Sequence, residues 1–222
     1  MCGRYSFVVK KEKVQKLFPK VKIEGDLDKS YNIAPTQQAY VITNKQPNIL
    51  QKMRWGLIPH WAKDGKRGGA LINARVETID EKPSFREPIH TQRCLVLADS
   101  FYEWRTEGGK KIPYRILLKN GELMVFAGIW DVWQNLSTFS ILTTEPNVEM
   151  SQLHNRMPVI LNTESGYEKW LSNTRDIPSL LPICEKPQDG FLHIYKVSDK
   201  LNAVKNNFPE LHKELPEELT LF

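Results

Sequence analysis

Residues 114–127, YRILLKNGELMVFA, decide how this chain folds. Two runs rich in β-branched, Leu and aromatic residues, 114–118 and 122–127, flank Asn120-Gly121. Those residue types suit a pleated, half-buried surface. An Asn-Gly pair supplies the positive φ that a tight primed turn demands, so the pattern predicts two strands joined as a hairpin. Outward from this stretch, 93–98, 137–143 and 158–161 read as further strands, and Glu107-Gly108-Gly109-Lys110 reads as another reversal. Helical periodicity is rarer. Residues 10–18 place Val14, Leu17 and Phe18 on one face with lysines opposite, and 163–171 start at the N-cap Thr163 and gather Tyr167, Trp170 and Leu171. The tail, 209–222, reads as a short helix stopped by Pro216. No repeat, low-complexity tract or long Ser/Gly linker divides the chain, so 1–222 reads as one α+β domain. Antiparallel sheet dominates it, curled into a pseudo-barrel with a few peripheral helices.

Composition excludes several classes. With 222 residues, 41% hydrophobic and 26% charged, the chain can bury a core and is not disordered. Its longest apolar run, 123–130, is strand-sized, against the ~20 residues a membrane helix needs. The start, MCGRYSFVVKKEKVQK, has no apolar core of a secretory signal, so a soluble, cytoplasmic protein without a membrane partner is expected. Lys+Arg 31 against Asp+Glu 26 leaves +5, a bias that permits nucleic-acid binding by counterion release but that many plain enzymes share. Three cysteines are too few for a disulfide framework, and no CxxC or HxxxH spacing offers a metal site; no metal or cofactor is expected. Cys94 and Cys184 lie among apolar residues and read as buried packing. No P-loop, GxSxG, GxGxxG or HExxH motif is present.

What remains is a set of local clusters that interleave titratable residues with aromatics, Gly or Pro: MCGRY (1–5), YNIAPT (31–36), RWGLIPHW (54–61), NARVET (73–78), FYEW (101–104) and HNRMP (154–158). Loss of Met1 would leave Cys2 with an α-amine and a thiol on adjacent carbons, a pair that condenses with an aldehyde to an imine and then a five-membered thiazolidine. From reference pKa values of ~7.8 and ~10.4, neutral amine at pH 7 favours the α-amine over lysine by roughly 400-fold. The thiol, with a reference value of about 8.5, is expected to be partly ionised. A terminus that stays loose, or keeps Met1, is inert. Glu103, hemmed by Phe101, Tyr102 and Trp104, suits a general acid if buried, and His154 sits where a loop meets an apolar strand. Asn73 offers an amide for a polar intermediate and Arg75 a guanidinium for a phosphate. Arg4, Arg75 and Arg156, with Trp55, Trp61 and Trp104 close by, suit a single strand whose backbone is clamped and whose bases stack. Trp55 and Trp130 read instead as core, and His60, His90, His193 and His212 as structural.

Taken in order, MCGRY, YNIAPTQ, RWGLIPHWAK, INARVET, ADSFYEW and HNRMP resemble the SOS response-associated peptidase (SRAP) family, also called abasic-site processing proteins. The resemblance runs from Cys2 to about Asn207, where VSDKLNAVKNN resembles the family's closing segment. It implies a β-rich pseudo-barrel that binds abasic sites in single-stranded DNA, with preference between plain strands and single-strand/double-strand junctions left open; nothing in the sequence demands more than a monomer, and association with the nucleoid is expected on damaged DNA. It further implies that Cys2 is the nucleophile, that Asn73 positions the opened sugar, that Glu103 shuttles protons, and that His154 assists the imine and thiazolidine steps. Arg4, Arg75 and Arg156 would line the DNA groove, with Trp61 packed on the strand and Pro35 and Thr143 near the pocket. Two departures stand out: Pro83 replaces an Arg of some members, so that a phosphate contact is either lost or taken over by Arg86, and Asn155 replaces a frequent Asp beside His154. An abasic-site lyase side activity follows from the imine. Two other readings stay open on the residues: an N-terminal-nucleophile cysteine hydrolase using Cys2, His154 and Glu103, and a non-catalytic single-strand binder.

Overall fold

The structure, a computed structural model, describes residues 2–65 and 71–216. Among these residues, thirteen strands build two sheets. The first is ordered β13-β8-β7-β1-β2, from β1 (Tyr5–Phe7), β2 (Ser30–Ile33), β7 (Ser100–Glu107), β8 (Lys110–Leu118) and β13 (Leu192–Lys196). The second contains a closed ring. In it β10 (Leu136–Thr144) pairs with β4 (Gln46–Trp55), then come β3 (Gln38–Thr43), β6 (Arg93–Ala98) and β9 (Met124–Trp133), and β9 pairs back onto β10. Short strands β5 (Asn73–Arg75), β11 (Met157–Pro158) and β12 (Ile160–Leu161) extend its rim. This is the expected α+β, antiparallel-sheet-dominated pseudo-barrel; closure leaves few free edges. The first sheet packs onto the ring through aromatic pairs, Tyr5 on Trp55 at 5.0 Å and Phe101 on Phe126 at 6.1 Å between ring centroids. Trp55 is fully buried, as expected, whereas Trp130 is half-buried against the core and donates to Asn44 Oδ1.

The Asn120-Gly121 expectation is corrected. Gly121 does adopt a positive φ of 68°, but the strands on either side, β8 and β9, belong to different sheets. Asn120 is not at positive φ; its side chain instead accepts from Glu122 N (3.0 Å), an Asx turn that swings the chain from one layer to the other. Two-residue hairpins lie elsewhere, among them Asn44-Lys45 between β3 and β4, with Thr43 opposite Gln46. Gly108 and Gly109 (φ 53° and 79°) join β7 to β8 with Glu107 opposite Lys110, as the 107–110 signal predicts. Gln134 and Asn135 (φ 45° and 67°) join β9 to β10.

Helices sit at the periphery. The predicted 10–18 and 163–171 stretches form α1 (Lys11–Leu17) and α4 (Glu164–Leu171), the latter capped by Thr163 accepting from Gly166 N. Between them lie α2 (Pro83–Thr91) and α3 (Val148–Ser151), with α5 (Ile177–Leu180) following α4. The predicted tail helix is one 3-10 turn, Pro209–His212; residues 217–222 of that expectation lie outside the described residues.

This tail turn carries a pH dependence. His212 packs against the rings of Tyr31 (4.8 Å) and Tyr102 (6.3 Å). Burial, then the charge of Arg115, push its imidazole down to about 4 against the opposing pull of Asp99. Below its unfolded value of about 6.5 the unfolded chain binds the extra proton, so stability present above that pH is lost as pH falls toward 4. Urea unfolding is expected to show a loss on the order of 3 kcal/mol across this window that His212→Gln removes. An unchanged profile in the variant would assign the loss to other groups.

Candidate functional site

The last residues of β10 organise the site. β4 pairs β10 only at Thr138 and Phe139; from Ile141 onward β5 takes its place, with Asn73 opposite Ile141 and Arg75 opposite Thr143. On the other edge β9 stops at Ile141, and β11 takes over with Pro158 opposite Thr143. The NARVET and HNRMP segments are thereby delivered to the two sides of one strand end. In the first sheet, β1 runs antiparallel to β7 with Tyr5 opposite Phe101, and Tyr102 N donates to Arg4 O (2.9 Å). Continuing that register sets Glu103 across from Gly3, beside Cys2.

Cys2, Asn73, Glu103 and His154 therefore converge from four distant segments. Asn73 Nδ2 donates to Cys2 O (2.8 Å), while its Oδ1 is buried without a hydrogen-bond partner among the described residues. Glu103 is buried and acts electrostatically on both Cys2 and His154. The Cys2 thiol is fully buried and donates weakly to Arg4 O (3.7 Å). Burial, reinforced by the negative charge of Glu103, pushes it well above the ordinary thiol range. This corrects the expectation of a partly ionised thiol: in this arrangement Cys2 is held as S–H. Met1, whose loss the aldehyde chemistry needs, lies outside the described residues.

His154 is set by its own loop. Arg156 N donates to Nδ1 (3.0 Å), so the neutral ring carries its proton on Nε2. Burial lowers its pKa, against the opposing pull of Glu103. Asn155, the departure from the family pattern, is exposed.

The expected DNA-contacting residues fall into two groups. Four are engaged within the fold. Arg156 forks onto Glu77 through two bonds (2.7 and 3.0 Å) and also donates to Thr143 O (2.5 Å); Thr143 itself is buried and donates to Ala74 O. Arg4 Nη1 donates to Asn32 Oδ1 (2.7 Å) and Leu201 O (3.0 Å) and lies over Trp104, whose Nε1 is bonded to Asn202. Pro35 is half-buried and precedes Thr36, held at φ 76° by a bond from its N–H to Trp55 O (2.8 Å). The others stand in solvent. Arg75 and Arg86 are exposed, and Trp61, 52% exposed, shares a cleft of about 460 Å³ with Ser84 at the start of α2. Arg86 lies two residues further along α2, on a different element from the Cys2 cluster. Pro83 occupies the first turn of that helix, where a missing N–H costs nothing.

No local sequence signal marks Glu77. It sits two residues after Arg75 within NARVET, but its partner is 79 positions away. Asn32, which accepts from Arg4 and donates to the carbonyls of Leu201, Ala203 and Asn206, is a second such residue. Among the described residues no group of three His, Cys, Asp or Glu is placed to hold a metal ion, and no helix is long and apolar enough to cross a membrane.

Known proteins match this arrangement along most of its length. The family described as SOS response associated peptidase (SRAP) matches residues 1–204. "Abasic site processing protein YoqW" of Bacillus subtilis is 43% identical over 225 residues, covering 95% of this chain and 98% of its own. "Abasic site processing protein HMCES" of Gallus gallus is 31% identical, covering 84% of this chain and 66% of its own. A crystal structure of a protein from Bacteroides thetaiotaomicron superposes with a TM-score of 0.81 at 31% identity, over 90% of this chain and 93% of that one. The cluster around Cys2 thus sits within the matched region, and the chain belongs to the SRAP family.

Proposed function

We propose that this chain, acting as one monomeric domain, processes abasic sites in single-stranded DNA by covalent capture through Cys2. The names of its relatives support the abasic-site reading. The observation that carries the chemistry is the bond from Asn73 Nδ2 to Cys2 O, with Glu103 in electrostatic reach of both Cys2 and His154. Loss of Met1 frees the Cys2 α-amine. That amine adds to the aldehyde carbon of the ring-opened deoxyribose, and loss of water leaves a C=N bond. Sγ then adds to the same carbon while its proton passes to the nitrogen, closing a thiazolidine with net release of one water.

Each neighbour has a task in this sequence. Asn73 fixes the main chain of Cys2 and has a buried carbonyl oxygen left for the amine or the sugar hydroxyls. Because burial keeps the thiol protonated, the ring-closing step needs a proton relay, and Glu103 is the carboxylate beside it. His154, with its proton on Nε2, presents a donor to the departing hydroxyl or to a flanking phosphate. The imine stage acidifies the sugar's C2′ hydrogens, so β-elimination of the 3′ phosphate is an expected slow side reaction.

One incubation tests this reading. Single strands with one abasic site are expected to give a protein–DNA band that survives denaturant, while intact strands give none. Peptide turnover without a band would favour a cysteine hydrolase. Salt-sensitive shifts equal on intact and abasic strands, again without a band, would leave a plain binder. Either result overturns covalent capture.

A further inference from the structure

The bidentate contact between Arg156 and Glu77 is the feature the proposed chemistry leaves unexplained. Arg156 is a guanidinium two residues from His154 of the Cys2 cluster and in electrostatic reach of it, with its side chain only 12% exposed and its fork already full. Nη1 and Nη2 each donate to one Glu77 oxygen, and Nη2 also reaches Thr143 O, while Nε is buried without a hydrogen-bond partner among the described residues. Glu77, by contrast, is 46% exposed and sits on a 3-10 turn, Val76–Thr78, that caps β5. The carboxylate has the negative charge and the two-oxygen geometry of a phosphodiester, and it meets the edge of Arg156 that a phosphate would use. Its solvent-facing side leaves it free to rotate away, while Thr143 O keeps the guanidinium in place.

Resting on the reading that this face binds a DNA strand, we infer that Glu77 is a resident stand-in anion. It fills the fork of Arg156 in the free protein, and a backbone phosphate next to the lesion displaces it. Strand binding at this point is then an exchange of one anion for another rather than a simple gain of charge. The local balance changes accordingly: Arg75, Arg156 and Glu77 together present one net positive charge, and removing the carboxylate leaves two. Strands that offer only backbone pay the cost of that exchange without the covalent bond that follows at an abasic site. Glu77 is thus a specificity-determining residue that weakens binding to undamaged strands.

The test uses Glu77→Gln and intact single-stranded oligonucleotides, with affinity followed by fluorescence anisotropy across a salt series. Glu77→Gln is expected to bind about three- to fivefold more tightly than wild type, the range an exposed-to-half-buried ion pair supports. The slope of log affinity on log salt should steepen by about 0.7 for the added charge. In an Arg156→Gln background the same Glu77→Gln change should lose the affinity gain beyond simple charge removal, because no fork remains to be vacated. Unchanged or weaker binding by Glu77→Gln would overturn the exchange and make Glu77 a support for Arg156. An equal gain in the Arg156→Gln background would overturn it too, leaving a non-specific charge effect. Failure of wild type to bind any strand would remove the DNA-binding reading itself, a result distinct from both.

Discussion

Cys2→Ser is expected to lower the yield of denaturant-resistant adduct on abasic single strands by roughly 100-fold or more, while the imine stage survives. The substitution keeps an N-terminal α-amine after Met1 is removed, and this group, not the thiol, makes the first bond. What it removes is the sulfur that closes the ring; a hydroxyl is a far weaker nucleophile at neutral pH. Borohydride should therefore still trap the variant on the strand through its reduced imine. The position is fully buried, and Ser nearly matches Cys in size, so the fold should be retained. Equal stable adduct from Cys2→Ser would exclude the thiazolidine. A loss of borohydride trapping as well would point to a misplaced main chain, which the bond from Asn73 normally holds.

The second large effect concerns stability. Arg93→Met is expected to destabilise the fold by about 3–5 kcal/mol and lower the melting temperature by roughly 10 °C, with little direct effect on the site chemistry. Arg93 is a fully buried strand residue whose guanidinium donates, among the described residues, to main-chain carbonyls only: Trp170, Ile89, His90, Ser172 and Thr174. Ile89 and His90 lie in the last turn of α2 and Trp170 in the last turn of α4, so one side chain satisfies the orphan carbonyls of two helix ends and complements both dipoles. Methionine fills the space but leaves those oxygens dry and unpaired. Lysine should not rescue, since a single ammonium cannot span five acceptors spread over two helix ends. Calorimetry showing a loss under about 1 kcal/mol would mean that water reaches the site and replaces the arginine.

Both effects mark the boundary of what local sequence reveals. Strand 93–98 is readable to the residue, because RCLVLA is an unbroken apolar run after its first position. Arg93 at its head looks like a solvent-facing cap, and its burial depends on carbonyls 77 to 81 positions further along. Helix α4 is legible because Thr163 caps it and Tyr167 and Trp170 fall on one face. Helix α2 is not, since Pro83 and Pro88 break the usual pattern and only Phe85, Pro88 and Ile89 are buried. Asn120-Gly121 illustrates a different limit: turn chemistry specifies a reversal of the chain, not whether the flanking strands pair afterwards.

The candidate site was legible as residue types and motif order, and the structure brings Cys2, Asn73, Glu103 and His154 to one place. Its electrostatics were not legible. Proximity to Phe101, Tyr102 and Trp104 hints at a buried Glu103, yet the state of the Cys2 thiol follows from a burial that no local pattern encodes. Engagement of Arg4 by Asn32 and of Arg156 by Glu77 likewise joins segments 28 and 79 residues apart. An arginine read as a phosphate clamp can already hold an anion from its own chain.

The most direct test of covalent capture is intact-mass and peptide mapping of the isolated adduct formed with an abasic strand. The account predicts a terminal peptide that begins at Cys2, lacks Met1, and carries the sugar with net loss of one water. The amine and the sulfur of Cys2 should both be blocked to alkylation. A stable adduct carried by a lysine, or one in which Met1 is still attached, would contradict it.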